Sequence, residues 1–270
     1  MSEQSQMRRW RITRGASLVA ACLLLAAGLA PPPVAGAAGI DPEAGEVLTA
    51  MSSYLGGLGA FSFSAEIDNE LINLEGQKLQ LSSSSRLLFD RPSRFHISRQ
   101  GMFADAEMIY DGETVTLHGN RHNAYMQVAV SGTTDDAIRA LEFETGLDFP
   151  GADLLFADPY PILSSGVESS HYIGVVNVGG VECHHLAFRE DKVDWQLWVQ
   201  TGEKPLPVKY VITSKWLTGA PQYSLRLSDW NTEPATPTGR FEYSVPAGAR
   251  RLDTLEVNEM GELSAPEEEQ

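Results

Sequence analysis

From Phe61 the chain alternates strictly, with Phe61, Phe63, Ala65 and Ile67 apolar and Ser62, Ser64, Glu66 and Asp68 polar. Successive side chains of a strand point to opposite faces, so this pattern describes a strand with one buried and one wet face. Such a strand needs pairing partners and a cover for its apolar side.

The partners follow along the chain. Strand patterns run over Gln77–Leu88, Arg94–Arg99, Glu107–Tyr110 and Thr114–His118, and Asp111-Gly112 joins the last two as a tight hairpin. A second series covers Ile173–Val178, Val181–Phe188, Trp195–Gln200, Val208–Ser214, Gln222–Trp230 and Phe241–Val245, with Gly179-Gly180 as another hairpin turn. No repeat of 20 to 50 residues marks a solenoid or propeller.

Helical signals stand outside these runs. Val47, Leu48, Met51, Tyr54 and Leu55 recur at helical spacing between an Asp41-Pro42 start and a Gly56-Gly57 stop. Asp135, Asp136, Ala137, Ile138, Leu141 and Phe143 predict a second helix with acids in its first turn, and Asp153–Ala157 a short third before a proline turn. Runs of strands interrupted by helices, without regular strand-helix alternation, predict an α+β domain with an antiparallel sheet.

The N-terminus reads as an export signal. Arg8, Arg9, Arg11 and Arg14 precede an uncharged apolar run, Leu18–Ala30, too short for the roughly 20 residues of a spanning helix. Pro31 to Pro33 end that run, and Ala35-Gly36-Ala37 predicts cleavage before Ala38, so residues 1–37 are a signal peptide and the protein is periplasmic. Anchoring by acylation at Cys22, after Val19-Ala20-Ala21, is the minority alternative.

The mature chain then has no membrane span, and residues 38–256 form one β-rich domain followed by an acidic, disordered tail over 257–270. The net charge of −16 becomes more negative when the basic leader is removed, which argues against nucleic acid as a partner. Cys183 is the sole cysteine after the leader, so the domain is held by packing without an internal disulfide.

The chemistry-bearing residues are few. Cys183-His184-His185 offers metal-ligand side chains, but in a strand Cys183 and His185 face one side and His184 the other. With no second cluster at ligand spacing, the reading is packed strand residues and no metal. A Cys-His hydrolase fails on the same geometry, no Gly-x-Ser-x-Gly elbow is present, and pairs such as Asp135-Asp136 read as helix-start acids. Trp195, Trp198, Trp216 and Trp230 put aromatic surface in the C-terminal half, for a core or for the lining of a ligand cavity.

Several segments together resemble a family of predicted periplasmic proteins known as domain of unknown function 2092. They are the helix with Met51, Tyr54 and Leu55; Arg91-Pro92 followed by Phe95; Tyr110-Asp111-Gly112; Tyr172-Ile173-Gly174; Cys183 to Phe188; Asp194 to Trp198; and Pro205 to Lys209. That family is similar in turn to the periplasmic carriers and receptors of lipoproteins. The resemblance implies a curved antiparallel sheet, an incomplete β-barrel, with helices covering its open face. It also implies a non-enzymatic binder of an apolar or amphiphilic ligand such as a lipid acyl chain, with no cofactor. Trp195, Trp198, Cys183, His185 and Phe95 are the candidate ligand-binding residues. An interaction module without a small ligand, and a metal- or thiol-dependent protein using Cys183, His184 and His185, are the alternatives.

Overall fold

The structure is a computed structural model that describes residues 39–102, 105–146, 149–253, 256–257 and 263–264. The predicted export signal with Cys22, and most of the acidic tail, lie outside the described residues.

The first helix, α1 (Pro42–Gly57), starts as its sequence requires: Asp41 caps it by accepting the Ala44 N–H at 3.1 Å, and Pro42 stands at the first helical position. Six strands follow as an antiparallel meander, β1 (Ala60–Ile72), β2 (Lys78–Asp90), β3 (Arg94–Gly101), β4 (Ala106–Tyr110), β5 (Thr114–Gly119) and β6 (Ala124–Ala129). Strand β6 carries no alternating signal, and the sequence reading passes over it.

A helical insertion separates this meander from the next. It holds α2 (Thr134–Thr145), a single 3₁₀ turn (Ala152–Leu155) and α3 (Pro159–Ser164). Thr133 and Asp136 form a reciprocal capping box at the start of α2, and Gly146 closes it in the left-handed conformation. The third helix differs from expectation. The predicted Asp153–Ala157 helix is the shorter 3₁₀ turn, and Pro159 opens α3, since proline suits a first helical position.

Strands β7 (Ser169–Val178), β8 (Val181–Arg189), β9 (Val193–Gln200), β10 (Pro207–Ser214) and β11 (Gln222–Asn231) make the second meander. Antiparallel pairing of β11 with β1 joins the two meanders, and β12 (Arg250–Arg251) adds to β6 in parallel. The result is one open sheet of twelve strands in the order β12-β6-β5-β4-β3-β2-β1-β11-β10-β9-β8-β7. It is the expected incomplete barrel.

Register sorts the side chains. Phe61, Phe89, Phe95 and Tyr110 are directly paired on neighbouring strands and all face inward, as an aromatic ladder with ring centroids 5.0 to 5.7 Å apart. Leu48, Met51 and Leu55 of α1 and Leu141 of α2 join the same fully buried core. Phe143 is the exception in α2: it is 85% exposed and does not extend the buried stripe of Ala137, Ile138 and Leu141.

The expected strand Phe241–Val245 is absent. This segment is an irregular strap that crosses the outer face of the first meander, with Phe241 under Arg94 and Tyr243 against His118 and Tyr125. Its Phe241 and Tyr243 contact a sheet face, which imitates strand alternation without ladder hydrogen bonds. In the tail, Glu256–Val257 pairs with Leu263–Ser264. Among the described residues no helix is long and apolar enough to cross a membrane.

Candidate functional site

The inward face of the sheet and the helices on it form the candidate site. Arg91, at the end of β2, is its mechanical centre. One guanidinium nitrogen donates to the carbonyls of Leu55 (2.6 Å) and Leu58 (3.3 Å) at the end of α1, and the other to Leu155 (2.8 Å) and Phe156 (2.9 Å) at the end of the 3₁₀ turn. Carbonyls at a helix end run short of intrahelical donors, Leu55 O having the Leu58 N–H as its backbone donor, and a cation complements the helix dipole there. The same guanidinium lies 5.0 Å from the Phe61 ring centroid. Burial lowers the Arg91 pKa from its ordinary value, and Asp135 opposes that shift.

Other bonds complete the attachment. Thr134 N–H donates to Pro92 O at 2.7 Å, the Tyr110 hydroxyl reaches Gly132 O at 3.1 Å, and Asp135 accepts the Ala157 N–H. Gly56 allows the close approach of α1 to the insertion, since a Cβ there would sit 2.5 Å from the Ala157 carbonyl oxygen. Gly151, at φ +90°, has the corresponding role against Leu225 on the inner face.

The buried side chains of α1 share one core cluster with the aromatic ladder, and the helix runs closest to α3, the 3₁₀ turn, β7 and β8. A groove of about 360 Å³ opens farther along, between α2, residues 149–156, α3 and β10, lined by Phe149, Pro150, Phe156, Ile162 and Ile212 with Arg139, Glu142 and Asp153. Arg139 is stacked over Phe156 at 4.9 Å. Asp153 accepts from the Tyr210 hydroxyl at 2.8 Å, and burial pushes its pKa up to about 6 against the relief of that hydrogen bond. The groove therefore combines apolar walls with a carboxyl that titrates near neutrality.

The five candidate residues divide between the two faces. Trp195 faces inward, stacked on Phe188 at 3.8 Å and donating its indole N–H to Glu190 at 2.7 Å, while Phe95 is a rung of the aromatic ladder. Trp198, His185 and Cys183 face outward. His185 stacks on Trp198 at 4.2 Å and bonds Gln196 at 2.9 Å, and Lys209 covers Trp198 at 4.8 Å. Cys183 is fully buried with its pKa pushed up to about 11 by desolvation, the opposite of an activated thiol. His184 points inward to the Tyr172 hydroxyl, 2.8 Å away, so the tripeptide brings no three donors together.

A search of protein families matches the model described as "Predicted periplasmic protein (DUF2092)" over residues 44–255. The chain belongs to this family. Its place is the periplasm, as the leader predicts. No curated protein matches the chain. Among solved structures, this DUF2092 chain is similar to an uncharacterized conserved protein from Thermus thermophilus, at 12% identity and a TM-score of 0.46 over 78% of this chain and 98% of that one. It is also similar to LprF from Mycobacterium bovis (15%, TM-score 0.45, 77% and 98%) and to a LolA superfamily protein from Nitrosomonas europaea (8%, 0.39, 74% and 97%).

Arg91, absent from the sequence-based candidates, is thus the residue on which the DUF2092 cover is fastened. Its signal was an arginine placed between the apolar end of β2 and a proline, within a segment already noted for the family. The two faces of Trp195 and Trp198 could have been read from their odd spacing alone.

Proposed function

We propose that the protein is a non-enzymatic periplasmic binder of an apolar or amphiphilic ligand, a lipid or lipoprotein acyl chain, held between the curved sheet and its helical cover. The observation that carries this reading is the cover itself: α1 and the 3₁₀ turn lie on a continuous apolar face and are fastened at the rim through one guanidinium.

Energetics favour a displaceable cover. Lifting α1 exposes chiefly Leu48, Met51 and Leu55, at about 2 to 3 kcal/mol each. An acyl chain recovers about 0.8 kcal/mol for each methylene it buries, so about ten methylenes offset the exposure.

An environment-sensitive fluorescent fatty acid tests this. It binds saturably at micromolar concentration, and Ile212→Trp, which narrows the groove, weakens binding more than folding. Absence of binding, with Ile212→Trp costing only stability, refutes the proposal. One feature favours a second reading, an interaction module: β7 is an edge strand whose Ile173, Val175 and Val176 are exposed.

A further inference from the structure

We infer that the ligand carries an anionic head, a carboxylate or a phosphate monoester, and that Arg99 receives it; this rests on the acyl-binding reading above. Arg99 is an inward position of β3, between Ser85 on β2 and Ala106 on β4. The surrounding inward positions are Ser83, Ser85, Ile97, Ala106, Met108 and Tyr223, none of them acidic. Arg99 Nε donates to Ser83 Oγ at 3.1 Å, and the guanidinium lies near enough to the Tyr223 hydroxyl to oppose the rise that burial imposes on its pKa.

That proximity is informative about shape. Tyr223 stands on β11, three strands from β3, about 14 Å away along a flat sheet at the usual strand spacing. Two long side chains meet over that span because the sheet curls, so they cross the trough of the half-barrel above β1 and β2. A guanidinium has five N–H donors, and the bond to Ser83 uses one of them. Bidentate recognition of carboxylate or phosphate is the chemistry such a group performs best.

The position joins the groove. Its sheet wall is Ile212, whose direct partner on β11 is Tyr223, so an apolar chain lying on Ile212 ends beside Arg99. Arg139, the cation of the groove lining, is stacked over Phe156 and shares that lining with Glu142. Asp105, near Arg99 in sequence, is bonded to Asn120 at 2.8 Å. The acidic surface of the chain does not cancel Arg99 locally, because exposed charges are screened beyond about 8 Å at physiological salt.

The test compares four probes of equal chain length on the full mature protein: lauric acid, dodecyl phosphate, methyl laurate and dodecylammonium, displacing a neutral fluorescent lipid. The expected result is at least tenfold tighter binding of one or both anions than of the methyl ester, with dodecylammonium weakest. Whichever anion leads identifies the head. In Arg99→Gln the anion falls to the level of the ester while the ester binds as before, and Arg99→Lys recovers part of the preference. Arg226→Gln, on the exposed outer face, makes the same change in net charge and leaves the preference intact. Equal binding of anions and ester, or a preference that survives Arg99→Gln or is lost in Arg139→Gln, overturns this inference and leaves the acyl-binding reading standing. Binding of none of the four overturns both.

Discussion

Replacing Arg91 by leucine removes four hydrogen bonds to carbonyls at two helical ends while keeping apolar contact with Phe61. Bonds from a charged donor contribute about 1.5 to 3 kcal/mol each when partners stay buried, and removing one member of a buried charged cluster costs about 3 to 5 kcal/mol. Two effects reduce the loss here. The guanidinium no longer has to be desolvated, and the freed carbonyls regain water when the cover loosens. The expected cost is about 3 kcal/mol, felt locally as more than a hundredfold in the opening equilibrium.

Hydrogen exchange read by mass spectrometry locates it. Protection in α1 and in residues 152–164 falls by that factor and separates from the central strands β1, β2 and β11, which keep more of theirs. Arg91→Lys, whose ammonium reaches one helix end but lacks the fork, loses about half as much free energy. Protection of α1 unchanged by Arg91→Leu, or falling in step with β1, β2 and β11, refutes the reasoning.

Asp153 gives the protein a pH-dependent element. Its folded pKa of about 6 lies above the ordinary 3.8, so the folded state holds the proton more tightly than the unfolded chain does. The favourable contribution is complete below the unfolded value and is lost as pH rises through about 6, amounting to about 2 to 3 kcal/mol. Denaturant melts at about pH 4 and pH 7 show that loss in the wild type and lack it in Asp153→Asn; equal slopes contradict the assignment. Cys183 stays unlabelled by a thiol reagent in the native protein at mildly alkaline pH and reacts fully once unfolded, and rapid native labelling counts against its burial. Gly56→Ala, which meets the Ala157 carbonyl, lowers stability by about 1 to 3 kcal/mol, whereas Gly57→Ala, with open space at its Cβ, does not.

Much of the fold was legible where a local rule and the tertiary structure agreed. Phe61 to Ile67 alternate because β1 lies at the middle of the sheet with one face in the core, and Asp41-Pro42 and Thr133 begin helices through caps readable from sequence. Other elements depend on distant contacts. Strand β6 is set by pairing with β5, not by its own pattern. Phe241 and Tyr243 alternate because a strap lies on a sheet, and burial alone does not distinguish that from a strand. The candidate site was harder still. Aromatic and Cys-His residues drew attention by chemistry, yet Phe95 is a ladder rung, Trp198 and His185 shield each other on the outer face, and Cys183 is packed. Arg91 and Arg99 matter through partners 33 to 65 and 124 residues away in sequence, which no spacing rule reaches.

Native mass spectrometry of the mature protein purified from the periplasm, followed by solvent extraction, tests acyl binding most directly. The account predicts a population heavier by one lipid-sized molecule, an extract containing a long-chain amphiphile, and restoration of the heavier species when a fatty acid is added back to the stripped protein. A single bare mass that stays bare on titration with long-chain amphiphiles, from a protein otherwise folded, would contradict it.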